Sequence, residues 1–287
     1  MTARTWCTTM WLAVVVALLL MATQAHADDL VEHRIRYSIT ARNTSGELLR
    51  NVDVIAAGPV SRTGAQRTVS LQASSTFELQ SDERGNQELR FRLTMAPYAT
   101  KMITIDTVVE FATRPAAQRL KDEPSFLRAE PFVEVGHPAV SAAAEHVEGK
   151  SPSEVADALF RSVVGRVRTS GYVSEPHGAL YALETGKGDC TEAMYLLVAL
   201  ARSRGIPARG VAGFVVSHDA VVHAIDYHNW AELYLDGAWR IADPDKRVFG
   251  TASSQYLAMR ILGGTAEQLL GGAAVSASRP ELAVRID

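Results

Sequence analysis

Cysteine is almost absent: the 287 residues contain two, Cys7 and Cys190. Cys7 falls in the leader described below, so an internal disulfide framework is excluded for the processed chain and Cys190 is left as a lone thiol. An excess of positive charge is missing too. Lys and Arg number 29 against 32 Asp and Glu, a formal charge of −3, which excludes nucleic-acid binding by bulk electrostatics. Nor is there a membrane-spanning run, because the apolar stretch from Met10 to Ala22 falls short of the ~20 residues a span needs. Internal repeats and low-complexity tracts are also lacking.

What is there begins with that apolar stretch. Arg4 precedes it and Ala25-His26-Ala27 follows as a small-x-small cleavage site, the form of a secretory signal. The expectation is a signal peptide over 1–27, cleavage after Ala27, and a periplasmic or secreted protein with no stable membrane insertion afterwards. Losing Arg4 takes the charge to −4. The processed chain is long enough for one large domain or two ordinary ones. An unpaired thiol kept in an oxidising compartment invites oxidation, which favours a chemical use for Cys190.

From Val31 to about Arg114 short runs alternate apolar and polar residues. Val31, Ile35, Tyr37 and Ile39 share one parity, as do Leu89, Phe91, Leu93 and Met95, and turn signals separate the runs. This predicts a β-sandwich of about seven strands over 28–114, with nothing catalytic in it. Residues 115–136, punctuated by Pro115, Pro124 and Pro131, read as a linker. A helical pattern then opens at Ser151-Pro152-Ser153-Glu154 and should end near Thr169. A second, apolar on nearly every side, follows Cys190 and is closed by Gly205 and Pro207. Strands are expected over 211–216, 221–235 and 239–242, a helix near 256–262 and a final strand near 282–286. Residues 137–287 thus read as one α+β domain.

The chemistry concentrates at Gly188-Asp189-Cys190-Thr191-Glu192. Asp189 can cap the helix and Glu192 can reach back to it, a variant of the capping box, which puts Cys190 in the first helical position. The positive end of the helix dipole then favours a thiolate. First-turn amides without intrahelical partners can also receive a developing oxyanion. Asp236-Gly237 is a two-residue hairpin turn, and if it is type I′ the opposed residues have numbers summing to 473. Tyr234 then faces Trp239, and His228 lies diagonally from Asp243 and directly across from Asp245. A histidine beside an acid on one sheet face, together with a thiol, supplies the parts of an activated nucleophile.

Four segments give these parts a context: Gly188-Asp189-Cys190-Thr191-Glu192-Ala193, Leu200-Ala201-Arg202 through Val211, His228-Asn229-Trp230-Ala231-Glu232, and Trp239-Arg240-Ile241-Ala242-Asp243-Pro244-Asp245. As a set, in order and spacing from about Ala158 to Asp245, they resemble the transglutaminase-like superfamily. The resemblance implies a papain-like α+β core in which the cysteine helix packs on an antiparallel sheet, with Cys190 as nucleophile, His228 as its partner and Asp243 as the third member. Asp82 to Asn86 is similar to a D-x-x-G-N turn of the all-β sandwich that precedes this core in exported bacterial members. The activity implied is thiol-dependent acyl transfer on amides of a peptide or protein substrate, by hydrolysis or by transfer to an amine.

Each residue also has a plainer reading. Cys190 can be an inert buried thiol and His228 a satisfied sheet histidine. Asp243 can cap the turn before Pro244, leaving Asp245 behind the histidine. Tyr172 and Trp230 are candidates for the cleft or the oxyanion site, though packing explains both. His223 and His228 have opposite strand parity, so with His218 and Asp219 they do not make a metal site without a bulge. No acidic loop has calcium-ligand spacing, and no cofactor is expected. The competing class is a non-catalytic module on the same fold that binds a peptide or envelope partner. The oligomeric state is not legible here.

Overall fold

The computed structural model describes residues 30–171, 175–251, 253–263 and 275–287. The expected signal peptide, its cleavage site after Ala27, and Tyr172 lie outside the described residues.

The amino-terminal alternation does make strands. In β1 (Leu30–Asn43) Ile35, Tyr37, Ile39 and Ala41 are buried while their neighbours are exposed or half-buried. It is followed by β2 (Leu49–Gly58), β3 (Gln66–Ala73), β4 (Glu78–Ser81), β5 (Gln87–Met95) and β6 (Thr100–Ala112). β1, β6 and β3 share one sheet, and β2, β5 and β4 another. Their inner faces enclose Tyr37, Val54, Phe91, Ile105 and Phe111. Each fully buried side chain of this kind contributes about 1.5–3 kcal/mol.

The segment supplies six strands, not seven. The sheets are completed from far along the chain: β10 (Ala220–Val221) runs parallel to β1, β15 (Val275–Ala277) pairs with β2, and β16 (Leu282–Ile286) pairs with β1 from Ile39 to Asn43. The expected final strand near 282–286 therefore forms, but inside the sandwich and not beside the rest of 137–287. Alternation reports which face of a strand is buried; it carries no information on which distant strand lies alongside.

The proline-punctuated stretch crosses to the second half, where Gln118 N–H donates to Gly237 O at 2.9 Å and Tyr234 Oη donates to Gln118 O at 2.7 Å. Helices α1 (Pro138–Glu145), α2 (Pro152–Arg166), α3 (Gly178–Thr185) and α4 (Cys190–Ser203) follow. At α2 the Ser151 hydroxyl accepts from Glu154 N at 3.2 Å, and Pro152 occupies the first position, where no N–H is needed. The helix stops at Arg166, short of Thr169, because Arg168–Thr169 forms β7 against β8 (Lys187–Gly188).

The second sheet has the order β13 (Val248–Phe249), β12 (Ala238–Asp243), β11 (Tyr227–Leu235), β9 (Ala208–Val215), β14 (Tyr256–Ile261). Every residue of α4 from Glu192 to Arg202 is buried, as its all-round apolar pattern requires. It lies with Ala231, Leu233 and Leu235 of β11 in one core.

Two expectations fail here. The run 221–235 is not one strand: Ala220 and Val221 leave to pair with β1, and a 3₁₀ turn at Ala224–Asp226 precedes β11. Tyr256–Ile261 is a strand where a helix near 256–262 was expected. A short apolar run buried on both faces fits either state, and pairing along β9 decides for the strand. Among the described residues no helix is long and apolar enough to cross a membrane.

Candidate active site

Cys190 opens α4. Asp189, in extended conformation, accepts Thr191 N–H on its carboxylate at 2.7 Å, while its own N–H donates to Glu192 Oε2 at 3.1 Å. The reciprocal cap sets the helix start at Cys190. Glu192 is fully buried and accepts a second backbone N–H, from His177 at 3.1 Å. Burial pushes its carboxyl above the usual range, against the pull of those two hydrogen bonds. Gly188 lies so close that a Cβ there would run into the Glu192 side chain, which explains the glycine two residues before the thiol. Cys190 itself is partly exposed and is the single free thiol among the described residues.

His228 arrives on β11. Asp236 and Gly237 both have positive φ, 51° and 80°, the type I′ geometry, and the register is the expected one, with Tyr234 opposite Trp239 and Ala231 opposite Ala242. It brings His228 Nε2 within 2.6 Å of Asp243 Oδ2. Asp243 has no exposed surface, and its carboxylate takes two more donors: Tyr256 Oη to Oδ2 at 2.8 Å and Lys246 N–H to Oδ1 at 3.1 Å. Asp245 points elsewhere. It is exposed, accepts from Thr169 Oγ1 at 3.4 Å, and lies 3.8 Å from Lys246 Nζ.

The ring of His228 also meets Cys190. Burial disfavours the imidazolium, but hydrogen bonds with Asp243 and with Cys190, and the charges of both, outweigh it and push the histidine up to about 9. With Nε2 committed to Asp243, Nδ1 is the nitrogen left for the thiol, an assignment made from the hydrogen-bond network. Cys190, His228 and Asp243 therefore form one connected set.

Trp230 stands behind this set. It stacks near His228 with ring centroids 6.3 Å apart and meets Tyr256 edge-on at 5.0 Å. It has no exposed surface, and its indole Nε1 finds no hydrogen-bond partner among the described residues, so it stands as a wall behind the histidine and does not line the open cleft. His223 caps the 3₁₀ turn and is off the strand, and among the described residues no group of three or more potential ligands could hold a metal ion.

Residues 141–244 match the family model described as the transglutaminase-like superfamily. This part of the chain is a transglutaminase-like domain. Among solved structures, a "putative cysteine protease" from Cytophaga hutchinsonii aligns with a TM-score of 0.53 at 18% identity, over 90% of this chain and 92% of that one. The periplasmic domain of TgpA from Pseudomonas aeruginosa aligns with a TM-score of 0.42 at 15% identity, over 74% and 88%. The transglutaminase of red sea bream gives 0.33 at 12% identity, over 73% and 48%. No curated protein matches the sequence significantly. The fold is thus α+β of the transglutaminase-like kind with a β-rich amino-terminal region.

Within the transglutaminase-like domain, a cleft of about 380 Å³ runs past the start of α4, lined among others by Arg168, Thr169, Asp189, Pro244, Asp245 and Arg247. A larger hollow of about 460 Å³ lies on the sandwich against Arg36, Asp106 and Val221 and touches none of the candidate residues. Glu232 of the His228 segment is structural: it is opposite Arg209 on β9, bonded at 2.6 Å, and Arg209 lies 4.1 Å over the Trp239 ring. Sequence reasoning missed two neighbours of the set. Asn229 carries no local mark of a role in the sequence, yet its Nδ2 donates to Thr191 Oγ1 at 2.9 Å. Tyr256 lies beyond the family-matched segment, inside the run read as a helix, and no local signal marks it.

Proposed function

We propose that this protein is a thiol-dependent acyl-transfer enzyme that hydrolyses an amide bond in a peptide or protein, with Cys190 as nucleophile, His228 as acid and base, and Asp243 as the group that orients and charges the histidine. The observation that carries this reading is the single imidazole joined to a partly exposed thiol on one side and to a fully buried carboxylate on the other. The family match over 141–244 supports the same chemistry.

In the resting pair the imidazolium stands beside the sulfur. The Cys190 thiolate attacks the substrate carbonyl carbon, and the carbonyl electron pair moves to oxygen. That oxyanion forms at the start of α4, where the Cys190 N–H has no intrahelical acceptor. As the intermediate collapses, the C–N bond breaks and His228 Nδ1–H protonates the leaving amine. The thioester left behind is opened by water, whose proton returns to the now neutral imidazole; the acid departs and the pair is restored. An amine in place of water gives a cross-link by the same steps. Asp243 takes no proton in these steps; it orients the imidazole and bears its charge. We further read the leader as an export signal, so that the substrate lies in the periplasm or outside the cell.

The test is turnover of a quenched peptide library by wild type and Cys190→Ala, with and without an added primary amine. Cleavage by wild type alone supports the reading, amine incorporation shifts it from hydrolysis to transfer, and equal rates in the two proteins overturn it in favour of a binding module.

A further inference from the structure

The sandwich reaches into the site through one strand. Along 253–262 the sandwich bonds the backbone or side chain at five places, one of them Arg260, whose Nη2 donates to Glu88 Oε1 at 2.9 Å. Ser253 Oγ donates to Ala112 O at 2.7 Å. Gln66 closes a two-way amide pair with Ala258, its Nε2 donating to Ala258 O at 3.0 Å and its Oε1 accepting Ala258 N–H at 2.8 Å. Asn86 does the same with Ile261, at 3.0 and 2.7 Å. Arg84 Nη1 donates to Leu262 O at 2.9 Å. Gln66 and Asn86 are both buried, and a buried amide paired on both its atoms fixes a strand in position as well as in height.

This strand is β14, and its first residue is Tyr256. The tyrosine is 4% exposed, its ring is braced edge-on by Trp230, and its hydroxyl donates to the same Asp243 oxygen that His228 uses. Nothing in the chemistry of acyl transfer requires that hydroxyl. It fixes which way the carboxylate turns and how much of its charge is left for the imidazole.

We propose that Tyr256 is a positioning residue for Asp243, and that the sandwich, through Gln66 and Asn86 on β14, is what positions Tyr256. This rests on the reading of Cys190, His228 and Asp243 given above. The sandwich is then part of the catalytic apparatus by way of its grip on one strand. The titratable groups bearing on His228 are Asp243 and Cys190, and those bearing on Tyr256 are Asp243 and Asp245. Burial, reinforced by the Asp243 charge, pushes Tyr256 far above the usual phenol range, so it stays a donor wherever His228 titrates. A phenylalanine at 256 keeps the ring and its packing but removes that donor. The Asp243 charge then falls more fully on the imidazolium, which persists to higher pH.

The experiment uses the full chain and reads His228 without any substrate. The rate of Cys190 alkylation by anionic iodoacetate is divided by that with neutral iodoacetamide; the ratio is high while His228 is cationic and drops when it loses its proton. Wild type should show the drop near pH 9. Tyr256→Phe should move it upward by about half a pH unit or more, with a melting temperature close to wild type. Gln66→Leu should move it the same way, and the double variant no further than Tyr256→Phe alone, since two changes acting through one bond do not add. Should Gln66→Leu fail to fold, Asn86→Ala takes its place. A folded Tyr256→Phe whose drop stays put or falls overturns the role of the tyrosine. A folded Gln66→Leu with no shift, or one that adds in full to Tyr256→Phe, overturns the link to the sandwich. A wild type with no drop between pH 7 and 10 overturns the Cys190–His228 pair itself, and this proposal with it.

Discussion

Thr191 and Asn229, the residues that follow Cys190 and His228 in sequence, are hydrogen-bonded to each other at 2.9 Å. The bond ties the first turn of α4 to β11 one residue away from Cys190 and from His228, next to the meeting of thiol and imidazole. Asn229 is 4% exposed, and water does not compete for it.

From this it follows that Asn229→Ala should lower kcat by about tenfold while KM changes little, because reacting groups lose rate steeply when their separation loosens. Steady-state kinetics on a cleaved library peptide, beside a melting curve to show the fold intact, measures it. An unchanged kcat would mean that packing alone holds the two elements.

The histidine also makes stability depend on pH. His228 is raised from 6.5 to about 9 in the folded protein, so its contribution is fully present below pH ~6.5, where both states are protonated, and is lost as pH rises through about 9. Wild type minus His228→Gln, from urea unfolding, should shrink by on the order of 2–3 kcal/mol between pH 6 and pH 9.5. Part of the shift comes from Cys190, and the same comparison made in Cys190→Ala should shrink by less. A difference that is flat with pH would contradict the pairing.

Glu192, which has no exposed surface, accepts two part-buried backbone N–H groups, those of Asp189 and His177. Glu192→Ala leaves both unsatisfied and should cost about 1–3 kcal/mol in chemical unfolding, whereas Glu192→Gln, which keeps an acceptor, should cost clearly less. Equal losses would show that shape, and not the hydrogen bonds, is what the site needs.

The two halves share a core. Phe214, Leu257 and Met259 of the second sheet are buried with Tyr37 and Phe91 of the sandwich, and β10, β15 and β16 complete the sandwich sheets. A fragment beginning at residue 113 would expose that apolar surface. It should lack a cooperative thermal transition, and a sharp one in calorimetry would show the halves to be independent.

This shared core marks where sequence reasoning stopped. The helix start at Cys190 was legible because a cap is local: Asp189, Thr191 and Glu192 suffice to define it. The hairpin was legible for the same reason, since Asp236-Gly237 fixes the turn type and the turn fixes the register that brings His228 toward Asp243. Local arithmetic left Asp245 as a rival, directly across from His228, because it assumed the strand ran on past Asp243; the chain instead turns there, with Lys246 N–H on Asp243 Oδ1. Tyr256 was out of reach. It touches Asp243 only because β14 adds to the edge of β9 and is held there by Gln66 and Asn86, residues some 170–190 positions away, and no periodicity encodes a partner at that distance.

The claim on which everything else depends is that His228 activates Cys190. The measurement that tests it most directly is the rate of iodoacetamide alkylation of Cys190 at pH 6 in wild type and in His228→Ala. The account predicts that the wild-type thiol reacts at least about tenfold faster than a free cysteine thiol at that pH, and that the advantage disappears in His228→Ala. A wild-type rate no greater than that of the free thiol, unchanged by removing the histidine, would contradict it.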